Sequence, residues 1–135
     1  FYQNDPSRCG TGLTTAYSGQ ILHQPAWSLF AAVKLAGIEP AREGYDVSPR
    51  VPEEEFSLRL PRVGISREAN RIRGYVRSEA PDRLRMRIRL PDGVDPSGAS
   101  AWAEDASVPS EVEDGRVVFE LPVSLDEAAD WAVTW

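Results

Sequence analysis

The sequence is poor in the residues that most often carry catalysis or bind metal. Cys9 is the only cysteine and His23 the only histidine, so no disulfide can form within the chain and no Cys/His cluster has metal-ligand spacing. No stretch reaches the roughly 18 apolar residues that cross a bilayer, and the chain does not open with the basic and apolar segments of a signal peptide. The sequence therefore predicts no metal, no cofactor and no membrane association, and it leaves the compartment open with the cytoplasm slightly favoured.

Basic residues are also too few for a typical nucleic-acid-binding protein. The 135 residues include 21 acidic and 15 basic side chains, which gives a net charge of −6. A free-standing binder of nucleic acid is usually basic overall, so no nucleic-acid partner is expected. The only methionine is Met86 and the chain begins at Phe1, which leads us to expect a fragment of a longer protein.

The segment 23–40, HQPAWSLFAAVKLAGIEP, predicts one apolar helix over residues of about 25–36. Pro25 suits a first helical turn, and Gly37 stands where a left-handed residue ends a helix. Between them only a serine and a lysine are polar, so the helix lacks the polar face of an amphipathic surface helix. We expect it to be buried among other helices, although the rest of the chain offers no second convincing helix.

After Glu39 the sequence changes to short segments of alternating apolar and polar residues, separated by Pro, Gly, Asp and Ser. The clearest apolar rows are Phe56, Leu58 and Leu60; Val117, Phe119, Leu121 and Val123; and Trp131, Val133 and Trp135. Such strands predict an antiparallel β-sandwich, and Asp114-Gly115 predicts a hairpin turn. The predicted fold class is mainly β with one preceding apolar helix, and the expected domains are 1–44 (loop and helix) and 45–135 (sandwich).

The segment 83–90, RLRMRIRL, places an arginine at every second position. Successive side chains of a strand point to opposite faces, so one face carries guanidinium groups and the other only apolar groups. We interpret this arginine row mainly as a register signal, because a slip by one residue would bury four charges. The secondary hypothesis is that this guanidinium face docks against an acidic surface.

A second arginine-rich segment, 70–77, is expected to pair with the arginine row as a hairpin across 78–82. Its arginines would then share the basic face, and like charges side by side need acidic partners or open water. The added arginines would be Arg71, Arg73 and Arg77, and the expected partners include Glu104, Asp105 and Glu120.

Candidate catalytic residues are scarce. The acidic run at 53–55 is interpreted as a solvated turn, because adjacent carboxylates point apart and do not form an acid/base pair. Asp126, Glu127 and Asp130 are interpreted as surface charges near a short helical turn. No catalytic residue is predicted in this chain.

The loop before the helix gathers aromatic and hydrogen-bonding groups that suit contact with a sugar. Tyr17, His23 and Gln24 are the candidate substrate-binding residues. The alternative is that His23 caps or packs the start of the helix, and Trp27, one turn further, is interpreted as a core residue.

The order of these parts resembles the C-terminal end of the six-hairpin glycosidase superfamily, the (α/α)6-barrel glycoside hydrolases and phosphorylases. In several of those families the last barrel helix ends in an "aGi.p" segment, which Gly37, Ile38 and Pro40 match. A "l.P.lP..w..l.f.l.y.g" stretch then opens an appended β-sandwich. The matching residues here are Val47, Pro49, Val51, Pro52, Phe56, Leu58 and Leu60. The likeness covers roughly residues 18–78, with Phe56 where a tryptophan is common.

The resemblance implies that this chain is the non-catalytic, structural end of a carbohydrate-active enzyme. Residues 1–44 would belong to the upstream catalytic barrel, which would be the partner of the sandwich and would hold the catalytic carboxylates. The loop with Tyr17, His23 and Gln24 would then lie near the barrel mouth, with carbohydrate as a possible ligand.

Two other hypotheses stay open. The chain could be a stand-alone carbohydrate-binding or protein-interaction module that uses Trp102, Trp131 or Trp135, although the shared face of Trp131, Val133 and Trp135 favours a core role for those two tryptophans. A polyanion binder that uses the arginine rows is the third hypothesis.

Overall fold

The computed structural model describes residues 28–79 and 82–135. The chain divides into two units between Ala32 and Val33. The described part of the first unit, 28–32, is helical, and the helix extends to residue 36 in the second unit. We call this helix α1; its expected start near residue 25 lies outside the described residues.

The second unit forms two β-sheets. Its strands are β1 (Ile38–Ala41), β2 (Gly44–Val47), β3 (Phe56–Arg59), β4 (Val63–Glu68), β5 (Arg71–Arg77), β6 (Asp82–Arg89), β7 (Ser100–Ala103), β8 (Ala106–Val108), β9 (Ser110–Glu113), β10 (Arg116–Val123) and β11 (Ala128–Thr134). Sheet A has the order β1-β2-β6-β10-β9, and sheet B the order β3-β4-β5-β11-β7-β8. Only β2 and β6 pair in parallel among these strands. The prediction of a mainly β sandwich preceded by one helix is confirmed. Strand β1 belongs to sheet A, although it precedes the expected domain boundary between residues 44 and 45.

The core lies between the apolar faces of the two sheets. Phe119 of sheet A and Trp131 of sheet B have ring centroids 6.4 Å apart, which places the two inner faces against each other. The most deeply buried side chains come from both sheets: Ile72, Met86, Ile88, Leu121, Val47, Val76, Val117 and Val133. The alternating apolar rows therefore face inward as predicted, with Trp131 buried and Trp135 partly buried against the core.

Backbone hydrogen bonds fix the end of α1 to the loop after β2. Gly37 has φ 72°, the left-handed conformation predicted for it, and its N–H donates to the Val33 carbonyl at 3.0 Å. Ser48 N–H donates to the Gly37 carbonyl at 2.8 Å, and Arg50 N–H donates to the Leu35 carbonyl at 2.9 Å. Among the carbonyls that a helix end leaves without partners, that of Val33 accepts from Gly37 and that of Leu35 accepts from the loop after β2.

The apolar side chains of α1 divide between the core and solvent. Ala36 is 2% exposed and joins the core, followed by Ile38 at 4%. Leu35, one residue earlier, is 53% exposed, and Leu29 and Phe30 are 51% and 54% exposed. No other α-helix appears among the described residues, so the expected burial of α1 among helices is not met within this part of the chain.

The expected hairpin between the two arginine-rich segments is wrong. β5 pairs with β4 and β11 in sheet B, whereas β6 pairs with β10 and β2 in sheet A. The chain therefore passes from one sheet to the other between these strands. This crossing places the two sets of arginines on opposite outer faces of the sandwich, which avoids a ladder of like charges.

Two turn predictions had different outcomes. Asp114 and Gly115 have φ values of 49° and 72° and connect β9 to β10, which confirms the predicted hairpin turn. The expected short helical turn near 124–130 is wrong, because β11 begins at Ala128 and Asp130 lies within it. The alternation of Ala129, Trp131 and Val133 toward the core outweighs the local helical tendency of this segment.

Candidate functional site

The substrate-binding residues predicted from sequence precede the described part of the chain. Tyr17, His23 and Gln24 lie outside the described residues, as does Trp27. The described regions that can carry a site are the sandwich and the end of α1.

The outer face of sheet A carries the arginine row, whose four members each approach a carboxylate. Leu84, Met86, Ile88 and Leu90 are partly or fully buried on the opposite side, so the predicted register is confirmed. The nearest nitrogen–oxygen distances are Arg83–Glu120 3.7 Å, Arg85–Glu113 2.6 Å, Arg87–Asp46 3.7 Å and Arg89–Asp92 3.6 Å. Acidic side chains of neighbouring strands and loops thus offset the row within the domain itself.

Most of these carboxylates were not identified from the sequence. Of the three expected partners, Glu120 lies beside Arg83, whereas Glu104 and Asp105 lie in the turn between β7 and β8 of sheet B. Asp46 reaches the row because β2 pairs in parallel with β6, which aligns Asp46 with Arg87. Only this pairing between distant segments could have revealed the partner.

Asp46 is the best enclosed carboxylate of this face. Its Oδ2 lies 3.1 Å from Arg116 Nη1, and its side chain is 28% exposed. Its Oδ1 is buried and accepts no hydrogen bond, at 3.7 Å from Arg87 Nε. The carboxylate lies between guanidinium groups of β6 and β10 and so links β2 to both strands. Asp114, 3.8 Å from Arg87 Nη2, offsets the second positive charge.

Arg85 and Glu113 form the shortest ion pair of the face. The hydrogen bond from Arg85 Nη2 to Glu113 Oε1 measures 2.6 Å. This bond is the main reason why the pKa of Glu113 lies below its ordinary value of 4.5, and it also raises the pKa of Arg85. The pair joins strands β6 and β9 across the intervening β10.

We expect Glu113→Gln to reduce stability at neutral pH and to have a smaller effect in acid. Because the pKa of Glu113 is lowered by folding, its contribution to stability is present above the ordinary value and is lost as pH falls through the folded pKa. Urea denaturation from about pH 6 to about pH 3 measures the difference between the variant and wild type. Glu120→Gln, at the looser 3.7 Å pair, is the matched control. A Glu113→Gln difference that stays constant or grows in acid contradicts the assignment.

The outer face of sheet B combines two aromatic rings with polar groups. The Tyr75 hydroxyl donates to the Leu60 carbonyl at 2.6 Å, and its ring lies across Gly64, where a Cβ would come within 2.2 Å of the ring. Trp102 Nε1 is 3.3 Å from Thr134 Oγ1, and Trp102 lies opposite Ala132 in the register. Trp102 is thus on the face opposite to Trp131.

A shallow cavity of about 530 Å³ lies on this outer face. Its lining includes Arg73, Tyr75, Glu104 and Asp130, with small residues such as Gly64 between them. Arg73 Nη2 pairs with Glu68 at 2.9 Å, and Glu104 Oε1 accepts from the Asp130 N–H at 3.2 Å. Arg73 and Glu104 of the lining are thus each engaged in a polar contact.

Metal-ligating side chains do not cluster in the described part of the chain. Across 28–79 and 82–135 no group of three or more His, Cys, Asp or Glu side chains is placed to hold a metal ion. The acidic residues 53–55 are exposed in the loop between β2 and β3, as predicted for a solvated turn.

A search of the same ranges for helices long and apolar enough to cross a membrane found none. Comparison of the sequence with protein-family models and with curated proteins gave no match.

Proposed function

We propose that this chain supplies the non-catalytic, structural β-sandwich of a carbohydrate-active enzyme, a glycoside hydrolase or phosphorylase, and that it stabilises the catalytic helical barrel of that enzyme. One observation carries the proposal: the last turn of α1 is fixed to the sandwich, yet Leu35 in that turn is exposed. The resemblance of segments 23–40 and 47–60 to the end of six-hairpin glycosidases supplies the class of the enzyme.

Two hydrogen bonds and a close backbone contact attach the last turn of α1 to the loop after β2. Leu35 and Gly37 each accept a hydrogen bond from the loop after β2, at 2.9 and 2.8 Å. The space beside Gly37 is filled by this loop, because a Cβ built there would lie 1.8 Å from the Ser48 carbonyl oxygen. The last turn of α1, 33–36, therefore belongs to the same compact unit as the sandwich.

Leu35 is the exposed apolar side chain at the helix end of this unit. It is 53% exposed, although Ala36 beside it is buried. Burying an exposed leucine contributes about 1.5–3 kcal/mol, so a neighbouring helical surface would gain stability from contact with it. An apolar helix end presented by a rigid sandwich suits a structural domain that packs against a helical barrel.

The charge distribution supports a structural domain over a polyanion binder. Every arginine of the row from Arg83 to Arg89 has a carboxylate within 4.0 Å, and the chain carries a net charge of −6. A binder of nucleic acid keeps its arginines free for phosphates.

Activity assays with the chain and with the full-length product of its gene test the proposal. The purified chain should release no sugar from a panel of disaccharides, with or without inorganic phosphate, whereas the full-length product should release a monosaccharide or a sugar phosphate. The preceding part of the reading frame should encode repeated helical hairpins with a carboxylate pair. Catalysis by the chain alone, or a full-length product without glycosyl transfer, would contradict the proposal.

Trp102 supports a second candidate function, a module that holds a glycan on the outer face of sheet B. Its indole is only partly buried there, close in the register to Arg73 and Ala132. Sugar sites combine an aromatic face with such polar groups. Affinity electrophoresis in polysaccharide gels distinguishes the two functions: retention that is lost in Trp102→Ala favours the module, and unretarded migration of the wild-type chain favours the structural domain.

A further inference from the structure

One end of the sandwich contains a cleft whose walls are rich in arginine. The cleft has a volume of about 520 Å³, within the range that takes small-molecule ligands. We call it the basic cleft; it is lined by Ser48, Pro49, Arg50, Val51, Pro52, Arg67, Ile72, Arg89, Leu90, Pro91, Asp92 and Arg116. These residues come from the loop after β2, the β4–β5 end, the end of β6 and the start of β10.

The charge of the basic cleft is opposite to that of the chain. Four guanidinium groups and a single carboxylate line it, in a chain with a net charge of −6. Converging charges of one sign raise the local concentration of oppositely charged small molecules. The cleft therefore favours an anion more than the net charge of the chain suggests.

The carboxylates that approach these arginines bind two of them weakly. Arg50 lies 3.8 Å from Glu39, with side chains 63% and 45% exposed. Arg89 lies 3.6 Å from Asp92, whose side chain is 98% exposed. Exposed pairs of this length contribute about 0–1 kcal/mol, so a ligand can displace them.

Arg116 and Arg67 differ from these two. Arg116 is oriented by Asp46 at 3.1 Å, and its side chain is only 26% exposed. Arg67 makes no ion pair with any described residue, and its Nε is buried without an acceptor. Its position opposite Phe56 and Ile72 in the register places it on the inner face of sheet B.

A buried donor without an acceptor is destabilising unless a partner binds nearby. Arg67, whose charge no described carboxylate offsets within 4.0 Å, thus adds to a cleft that already holds three other guanidinium groups. Guanidinium forks match the paired oxygens of phosphoryl and carboxylate groups.

We propose that the basic cleft binds the phosphoryl or carboxylate group of a small molecule, with Arg67 and Arg89 as direct contacts and Arg116 oriented by Asp46. Arg50 adds the fourth guanidinium group of the lining. The four arginines of this site lie outside α1, although Arg50 belongs to the loop that binds the end of α1.

Titration of the whole chain with small anions tests the site. Inorganic phosphate, glucose 1-phosphate and glucuronate are added at constant ionic strength, and binding is followed by isothermal calorimetry and by the rise in melting temperature. Binding of the phosphates alone assigns a phosphoryl ligand, and binding of glucuronate alone assigns a carboxylate ligand. Absence of binding by all three anions overturns the proposal.

Matched variants separate a specific site from general charge attraction. Arg67→Gln should weaken binding by roughly tenfold to a hundredfold, as expected for loss of a charge-assisted hydrogen bond. Arg59→Gln, on the neighbouring strand and outside the cleft, should bind like wild type. Arg89→Gln, at an exposed position whose replacement leaves the core intact, is the second variant if Arg67→Gln fails to fold. Equal weakening in the cleft variants and in Arg59→Gln overturns the proposal.

Discussion

Gly37→Ala is expected to destabilise the sandwich by about 2–5 kcal/mol, the sum of a strained left-handed backbone and an overpacked contact. Gly37 has φ 72°, and a Cβ there would lie 1.8 Å from the Ser48 carbonyl oxygen and 2.8 Å from the Pro49 nitrogen. Both neighbours are backbone atoms, so the clash cannot be relieved by a side-chain rotation. The loop that fixes α1 would have to move.

Gly115→Ala is the matched control for this substitution. Gly115 has the same φ of 72°, but nothing lies within 4 Å of a Cβ built on it. Its replacement should therefore cost only the backbone strain, about 1–2 kcal/mol. Urea denaturation monitored by tryptophan fluorescence gives both free energies of unfolding. Equal losses in the two variants would show that α1 is not fixed to the sandwich by this contact.

Features set by local sequence could be predicted. The alternation from Leu84 to Leu90 fixes which side of β6 is buried, because the period of a strand depends only on neighbouring residues. Gly37 and Asp114-Gly115 were identified because a left-handed backbone restricts the residue type.

Features that depend on contacts between distant segments could not be predicted. Alternation shows that β5 and β6 are strands, but it does not show which sheet each one joins. The contact of Asp46 with Arg87 and Arg116 needs the parallel pairing of β2 with β6, which no local pattern encodes.

The candidate substrate-binding residues could be chosen from the sequence, whereas the basic cleft could not. Tyr17, His23 and Gln24 were selected for their chemistry and lie outside the described residues, so their role stays a prediction. The basic cleft was not found from the sequence, since Arg50, Arg67, Arg89 and Arg116 come from four separate segments. The sequence around Arg67 did not indicate a binding site, because an arginine in a strand is normally expected on the side that faces solvent.

The arginine row has a structural role, because it sets the register of β6. Four charges on one face of β6 oppose any slip of the strand by one residue, and the acidic neighbours offset their mutual repulsion. Exposed ion pairs contribute little individually, so the row specifies the register more than it stabilises the fold.

The central claim, that the exposed end of α1 packs against a helical barrel, predicts a context-dependent effect of Leu35→Ser. In this chain Leu35 is 53% exposed, and Val112 at the edge of sheet A is 48% exposed. Serine at either position should change the free energy of unfolding by no more than about 0.5 kcal/mol, as for other surface substitutions. In the full-length product Leu35 should be covered, and its truncation should cost about 2–5 kcal/mol.

The most direct measurement compares the melting temperatures of Leu35→Ser and Val112→Ser in both contexts. We expect both variants of the chain to melt within a degree or two of the wild-type chain, in keeping with that small change. In the full-length product, Leu35→Ser should melt and lose activity at clearly lower temperature, whereas Val112→Ser should match wild type. A full-length Leu35→Ser protein as stable as Val112→Ser would contradict the account, because the exposed end of α1 would then have no barrel to cover it.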